Sequence, residues 1–343
     1  MARFVSSPDT FLVEEQPAYL PSGEGAHTYL WIEKRGLTTL DAVNRLARVL
    51  DVQARDVGYA GMKDRHATTR QWLSLPSVAP ETALAAALSD VRILDARRHG
   101  NKLRVGHLRG NRFEVVLQDV QPGEPEALEV RLAELARTGV PNRYGQQRFG
   151  SAGDNLQTGL EILRGTRRER DGRRRKLLLS AVQSAVFNHV LDLREASGGL
   201  RLVRAGDVLQ KVSSGGSFVC EDLAREQARV DAGEIVPTAP MPGSRVMEPP
   251  SGTPARGLED QALAELGIAP GELAEMGRAL PGTRRPVVVP VTLGEPPVSR
   301  EADRVRLRFA LPAGSYATVL LQALGVATDR PGEPVLAFGP EPV

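Results

Sequence analysis

Apolar residues recur along the chain with two periods, one typical of helices and one typical of strands. Five of them have the spacing of a single buried helical face: Leu40, Val43, Leu46, Ala47 and Leu50. Thr38 and Asp41 stand three positions apart just before this segment and match a capping box. A helix is therefore predicted to begin at this point.

Shorter segments have the pattern of strands. "TYLWIEKRG" follows the Gly-rich turn "PSGEGAH", and "RQWLSL" and "RFEVVL" come later. In "DRVRLRFAL", residues 303–311, alternation places Val305, Leu307 and Phe309 on one face and three arginines on the other. These arginines could form a basic binding stripe or only a solvated sheet face. After this strand, Ser315 is predicted to cap a helix over 316–324 that Gly325 ends.

The middle of the chain has a different composition. A long amphipathic helix is predicted from Lys176 onward on the spacing of six apolar residues: Leu178, Val182, Ala185, Val186, Val190 and Leu193. Gly and Pro then accumulate in "PTAPMPG", "MEPPSGTPARG" and "IAPGELAEM". A chain of 343 residues is long enough for two domains, and the shift in composition indicates a separate middle module.

Composition excludes several classes of protein. The only cysteine, Cys220, cannot form an internal disulfide, and five scattered histidines give no zinc spacing, so no metal is expected. No phosphate loop, dinucleotide fingerprint, zinc-hydrolase motif or serine elbow is present, and no cofactor is expected. The N-terminus has no signal-peptide pattern and no apolar run reaches the length of a membrane helix, so a cytoplasmic protein without membrane contact is expected.

Charge is balanced overall but not locally. The net charge is only +2, yet the runs 97–112 and 164–176 are strongly basic. Each run could bind phosphates, or it could be a solvated arm that only improves solubility.

One acidic residue stands out in "GYAGMKDRHATTRQWLSL", residues 58–75. Asp64 lies between Lys63 and Arg65 in a polar segment that is predicted to be a loop between strands. Neighbouring positive charge favours the ionised carboxylate, which suits a nucleophile or a base. The alternative is a surface ion pair with these neighbours or with Arg70.

Two further segments have side chains suited to a planar polar ligand. "PNRYGQQRFG", residues 141–150, is dense in amide and guanidinium donors, although it could be only a structural turn. Tyr19 and Tyr316 each stand at a junction between a loop and a predicted element, where a tyrosine can stack on a base or belong to the core.

Taken together, six segments resemble the TruD family of tRNA pseudouridine synthases, in the order of that family. They are "PSGEGAHTYLWIEKRGLTT" (21–39), "GYAGMKDRHATTRQWLSL" (58–75), "RHGNKLRVGHLRGNRFEV" (98–115), "PNRYGQQRFG" (141–150), "LLSAVQSAVFNHVL" (178–191) and "FALPAGSYATVLL" (309–321). The resemblance implies an α+β fold. A pseudouridine synthase catalytic domain with a mixed, largely antiparallel sheet (1–152 and 298–343) would be interrupted by an inserted α/β TRUD domain (153–297).

The resemblance also implies roles for single residues. Asp64 matches the catalytic aspartate, and four residues match the uridine pocket: Tyr19, Asn142, Tyr144 and Tyr316. Lys63 and Arg148 stand in the same blocks and are supporting candidates. Tyr144 replaces the usual Phe, which keeps a stacking face. Two other departures from the family are Ala26, where Glu is usual, and "PTAP" at 237–240, where P-T-G-P is usual.

The implied activity is isomerisation of uridine 13 of tRNA to pseudouridine, with tRNA as partner and no obligate protein partner. Attack at C1′, addition to C6 and removal of a 2′ proton remain open as chemical routes. Two other functions also remain open, namely a non-catalytic tRNA-binding or folding module and a pseudouridine synthase acting on another RNA.

Overall fold

The computed structural model describes residues 2–150, 153–301 and 303–329. The last residues of the predicted catalytic domain, 330–343, lie outside this part. The described residues form two compact units, one that extends up to Gly139 and resumes at Pro290, and one that spans Val140–Val289.

Sixteen strands occur in the described residues. They are β1 (Arg3–Val5), β2 (Phe11–Pro17), β3 (His27–Arg35), β4 (Gly58–Tyr59), β5 (Thr68–Pro76), β6 (Val91–His99), β7 (Leu108–Leu117), β8 (Val140–Pro141), β9 (Val208–Lys211), β10 (Ser217–Val219), β11 (Ile235–Met241), β12 (Thr283–Pro286), β13 (Val288–Val289), β14 (Thr292–Glu301), β15 (Arg304–Pro312) and β16 (Ala327–Asp329).

Eight α-helices accompany them in the same part of the chain. They are α1 (Thr39–Val49), α2 (Pro80–Leu84), α3 (Glu124–Thr138), α4 (Asp154–Leu163), α5 (Gly172–Ala196), α6 (Leu223–Asp231), α7 (Pro254–Glu265) and α8 (Ala317–Ala323). Three short 3₁₀ turns lie at Ala54–Asp56, Gln146–Phe149 and Ala274–Ala279.

The first unit is built on an eight-stranded mixed sheet. Its strand order is β14-β15-β7-β2-β5-β3-β6, and β4 pairs with β5 beside this path. Only β2 and β5 run parallel, and the other pairs are antiparallel. The mixed, largely antiparallel sheet that the sequence predicts is therefore confirmed.

Helix α1 covers one face of this sheet and begins where the sequence predicts. The Thr38 hydroxyl accepts from the Asp41 backbone N–H at 3.1 Å, and the Asp41 carboxylate accepts from the Thr38 N–H, which completes the capping box. Val43 and Leu46 pack with apolar residues of β3 and β5. Burying a side chain of this size contributes about 1.5–3 kcal/mol. Leu40 was predicted to share this face but is 47% exposed.

Strand β15 confirms the predicted alternation and decides between the two interpretations of its arginines. Val305, Leu307 and Phe309 are buried. On the other face, Arg306 pairs with Glu301 at 2.6 Å and with Glu114 at 3.1 Å, and Arg308 lies 3.7 Å from Glu114. Carboxylates of neighbouring strands therefore neutralise much of this stripe, which is a sheet face laced with ion pairs.

The last helix begins one residue later than predicted. Tyr316 is the N-cap of α8, and the side-chain oxygen of Ser315 is buried without a hydrogen-bond partner among the described residues. Gly325 has the positive φ of +77° that favours glycine after a helix end, as predicted.

The second unit combines a four-stranded antiparallel sheet, in the order β10-β9-β11-β12, with α4 to α7. Helix α5 lies at its centre, and the six apolar residues predicted for its inner face are buried or half-buried. Helix α4 approaches α5 closely at Gly159, where a Cβ atom would lie 2.4 Å from the Leu178 carbonyl oxygen. This unit begins and ends earlier in the sequence than the predicted segment 153–297, and its identity as a TRUD insert stays a prediction.

Candidate active site

The loop between β4 and β5 carries Asp64, as the sequence predicts, and hydrogen bonds hold its backbone to the surrounding elements. The Lys63 N–H donates to the Thr39 hydroxyl at 2.8 Å, and this hydroxyl donates to the Gln71 side chain at 3.0 Å. Gln71 in turn donates to the Gly61 carbonyl at 3.2 Å. Helix α1 and strand β5 therefore fix the backbone just before Asp64.

Lys63 forms a buried ion pair with a residue other than Asp64. Its Nζ atom lies 2.7 Å from Glu15 Oε2, and both side chains are almost fully buried. The other carboxylate oxygen of Glu15 accepts from the Trp72 N–H at 3.2 Å. Lys63 therefore supports Asp64 only indirectly, by fixing the adjacent residue of the loop to β2.

The Asp64 side chain is half-buried, and its Oδ1 atom accepts from the His66 backbone N–H at 2.9 Å. Among the described residues no ion pair involves this carboxylate. Arg70, the alternative partner that the sequence suggested, pairs instead with Glu14 at 3.2 Å and Glu33 at 2.9 Å. One backbone donor orients the carboxylate, and no described residue bonds to its second oxygen.

A second lysine, which sequence analysis missed, lies beneath the loop. Lys34 is 0% exposed, and its ammonium donates to the Asp64 backbone carbonyl at 2.9 Å and to the Leu37 carbonyl. Burial lowers the pKa of Lys34 to about 7, the negative charge of Asp64 opposes that shift, and the positive charge of Lys63 adds to it. The buried ammonium of Lys34 therefore holds the backbone of Asp64 in place.

The alternation of inward and outward residues along β2 and β3 could have revealed that Glu15 and Lys34 are buried. Lys34 has the same parity in β3 as Leu30 and Ile32, and Glu15 has the parity of Val13 in β2. A charged residue at a position that faces the core is rarely buried without a partner. The positions of Lys34 and Glu15 were therefore a signal in the sequence.

Tyr19 lies in an aromatic cluster of the same unit. Its hydroxyl is 2.6 Å from His107 Nδ1, and its ring stacks on His99 with centroids 5.2 Å apart. Burial, together with a hydrogen bond to Tyr19, raises the pKa of Tyr29. Among the described residues no hydrogen bond or ring contact joins Tyr19 to Asp64. Tyr19 contacts Tyr29 and Asp64 contacts Lys34, and both of these contacts belong to β3. Tyr29 and Lys34 are five residues, or about 16 Å, apart along that strand.

The other candidate of the first unit is Tyr316, half-buried at the start of α8. The three remaining candidates fall in the second unit and are linked to one another. Asn142 is 6% exposed, donates to the Pro286 carbonyl at 2.9 Å and accepts from Arg285. The nitrogen and the oxygen of its side-chain amide therefore each have a hydrogen-bond partner already.

Two guanidinium groups lie against the Tyr144 ring. Arg285 is 4.4 Å and Arg148 is 5.4 Å from its centroid, and Arg148 also donates to the Ser184 hydroxyl at 3.0 Å. The side chains of Gln146 and Gln147, which we counted among the donors of this block, lie outside the described part. Arg285, a residue that sequence analysis did not identify, joins Asn142 to Tyr144, and Arg148 joins this group through the Tyr144 ring.

Other kinds of site were sought in the same part of the chain. No group of three or more His, Cys, Asp or Glu side chains among the described residues could hold a metal ion. None of the described helices has the length and apolar character needed to cross a membrane.

The mixed sheet, with Asp64 on a loop between two of its strands, makes this an α+β protein. Its fold matches that of a solved structure described as a TruD protein from Methanosarcina mazei. That match has a TM-score of 0.74, covers 95% of this chain and 94% of the other, and has 21% sequence identity. The family model for tRNA pseudouridine synthase D (TruD) matches residues 2–170 and 171–324. The chain belongs to the TruD family.

Relatives with closer sequences have the same family name. A tRNA pseudouridine synthase D from Geobacter metallireducens is 41% identical over 378 residues, which cover 92% of this chain and 92% of that protein. The protein of the same name from Thermus thermophilus is 41% identical over 92% of this chain and 86% of its own length. These matches confirm the family that the six sequence blocks predict.

Proposed function

We propose that this chain isomerises uridine to pseudouridine in tRNA, at position 13, and that Asp64 is the catalytic residue. The observation that carries the proposal is the state of the Asp64 carboxylate. Its backbone is held by Lys34, one of its oxygens is oriented by the His66 N–H, and no ion pair among the described contacts occupies it. A nucleophile or base needs this combination of fixed position and available lone pairs.

The reaction breaks the bond between uridine N1 and ribose C1′ and forms a bond between C5 and C1′. The proton on C5 leaves and N1 gains one, so the composition of the RNA is unchanged. The target uridine must leave its stack at a cost of a few kcal/mol before a side chain can reach it. The carboxylate of Asp64 would then attack C1′, add to C6 or remove the 2′ proton.

Tyr19, Tyr316, Tyr144 and Asn142 are proposed as contacts of the flipped uridine. Support for the tyrosines is that each residue is only half-buried, and an aromatic side chain that solvent reaches can stack on a base. Asn142 holds Arg285 over the Tyr144 ring, so its proposed contribution includes the arrangement of these two groups. Arg148 also lies against this ring.

Three assignments accompany this proposal. The second compact unit is taken as the inserted TRUD domain predicted at 153–297. The protein is expected to act where tRNA is found, in the cytoplasm. No cofactor is needed, because the reaction rearranges bonds without net oxidation or hydrolysis.

Release of tritium from tRNA transcript labelled at uridine C5 tests the role of Asp64. Wild type should release tritium, and Asp64→Asn should release none, because the amide is neither a nucleophile nor a base at this position. Asp51→Asn is the matched control, since Asp51 is exposed and its φ of 49° suits asparagine equally well. Release that persists in Asp64→Asn would exclude the proposed role, and no release by wild type would favour a tRNA-binding module.

The identity of the RNA target is tested separately by mapping pseudouridine in a strain that lacks the gene. Loss of the mark at tRNA position 13 is expected. If that mark persists while another RNA loses one, the enzyme is a synthase with a different substrate.

A further inference from the structure

An open surface pocket of about 430 Å³ lies in the first unit, apart from the contacts described for Asp64. Helix α1, the turn Ala54–Asp56, strand β4 and the loop 102–105 surround it. Its volume falls within the range of ligand pockets in proteins, about 300–1,000 Å³. The chain passes from β4, in the wall of this pocket, directly into the loop of Asp64.

The floor of the pocket is apolar. Val43, Val57 and Leu103 line it and are nearly fully buried. Leu40 and Val105 stand at the same pocket but are 47% and 50% exposed. Exposed apolar side chains grouped around a concave surface indicate a binding site more often than scattered ones do. The exposure of Leu40, which α1 periodicity assigned to the core, is accounted for by such a site.

The rim of the pocket is positively charged. Arg55, Lys102 and Arg104 line it, and the lining contains no Asp or Glu. The Lys102 ammonium donates to the Arg55 backbone carbonyl at 2.9 Å. Among the described residues, neither the Arg55 nor the Arg104 guanidinium group forms an ion pair. Other arginines of the run 97–112 are already neutralised, for example Arg97 by Asp95 at 2.8 Å. The side chains of this run that have no ion pair among the described residues therefore include Arg104, at the pocket.

We infer that this pocket binds one nucleotide of the RNA substrate, with the base over the apolar floor and a phosphate between Arg55 and Arg104. The inference rests on the proposed function, since it assigns a further contact to the same RNA. An apolar ligand would make no use of the guanidinium groups, and a bare anion would make no use of the floor. A nucleotide has a flat apolar face and a phosphate and so matches both.

Binding of unmodified tRNA transcript at several salt concentrations separates these two contacts. Arg104→Ala should lower the absolute slope of log K against log salt by about 0.7–0.9, the value for one lost phosphate contact. Leu40→Ala should raise the Kd several-fold and leave the slope unchanged, because an apolar contact releases no counter-ions. Both residues are exposed, and an unchanged Tm would show that each variant is folded.

Helix α1 offers matched controls outside the pocket. Arg48 is exposed, and Val49 is 49% exposed, close to the value for Leu40. Arg48→Ala and Val49→Ala should bind tRNA like wild type. If Arg104→Ala has the slope of Arg48→Ala, the phosphate contact is refuted. If Leu40→Ala binds like Val49→Ala, the pocket holds a phosphate only and the nucleotide assignment is overturned.

A cross-link gives direct evidence on the same point. Transcript containing 4-thiouridine should cross-link under ultraviolet light to the peptides that contain Tyr59 or Val105, and cross-links confined to other peptides would contradict the inference. Pseudouridine formation is measured on the same preparations. Normal formation with unchanged slopes would refute the pocket alone, whereas the expected slopes without any pseudouridine would refute the proposed function alone.

Discussion

Replacing Lys34 by Met should change how the stability of the protein depends on pH. The pKa of this lysine is about 7 in the folded protein and 10.5 when the side chain is free in water. Between these values the unfolded chain binds one proton more than the folded chain, so raising the pH favours folding. Below pH 7 both states are protonated and the full cost of burying the charge is present.

The structure sets the size of this effect. One proton of difference corresponds to about 1.4 kcal/mol per pH unit, and the whole interval to a total on the order of 5 kcal/mol. Lys34→Met has no proton to release. The free energy of unfolding of wild type should therefore rise relative to that of Lys34→Met by about 1.4 kcal/mol per pH unit between pH 7.5 and 10.

Urea unfolding at intervals from pH 6 to 10 measures this difference. Taking the difference between two variants at each pH cancels the groups that titrate alike in both proteins. Lys211→Met is the control, because Lys211 is exposed and its replacement removes the same charge without a burial cost. If the difference in the free energy of unfolding between wild type and Lys34→Met stays constant from pH 6 to 10, the argument that burial lowers the pKa of Lys34 is refuted.

Three further predictions concern the first and second units. Thr38→Ala removes both hydrogen bonds between the Thr38 hydroxyl and Asp41 and should lower the free energy of unfolding by about 1 kcal/mol, and an unchanged urea midpoint would contradict this. Gly58→Ala would place a Cβ atom 2.3 Å from the Leu103 carbonyl oxygen and should destabilise by about 1–3 kcal/mol or more, as measured by Tm. Gly257→Ala has no atom within 4 Å of its Cβ in α7 and should stabilise by up to about 1 kcal/mol, so equal shifts in both variants would count against a steric cause.

Elements with a strong local pattern were predictable. The α1 cap depends on Thr38 and Asp41, which are three residues apart, and the alternation in β15 depends on neighbours in one strand. Such interactions are fixed by the order of residues alone. The location of Asp64 on a loop was obtained from such a local pattern, whereas the mixed sheet and the TruD family were implied by the six blocks that resemble that family.

Partners across the sheet were not predictable in the same way. Lys63 stands next to Asp64 in sequence, and adjacency suggested that the two interact, but β2 brings Glu15 to the Lys63 ammonium. Arg70 likewise pairs with Glu14 and Glu33. An ion pair depends on distance in space, and strand pairing determines that distance.

The sequence by itself determined the start of α1, the alternation along β15, the family of the protein and the aspartate that we propose as catalytic, because each is expressed in residues close together along the chain. Only the tertiary structure decided which charges are paired and which remain available. It placed Lys34 under the Asp64 loop, paired arginines of β15 with carboxylates, and left Arg55 and Arg104 at an apolar pocket without an ion pair among the described residues. The physical reason is that charge pairing and burial are properties of atoms brought together by folding from distant positions in the chain.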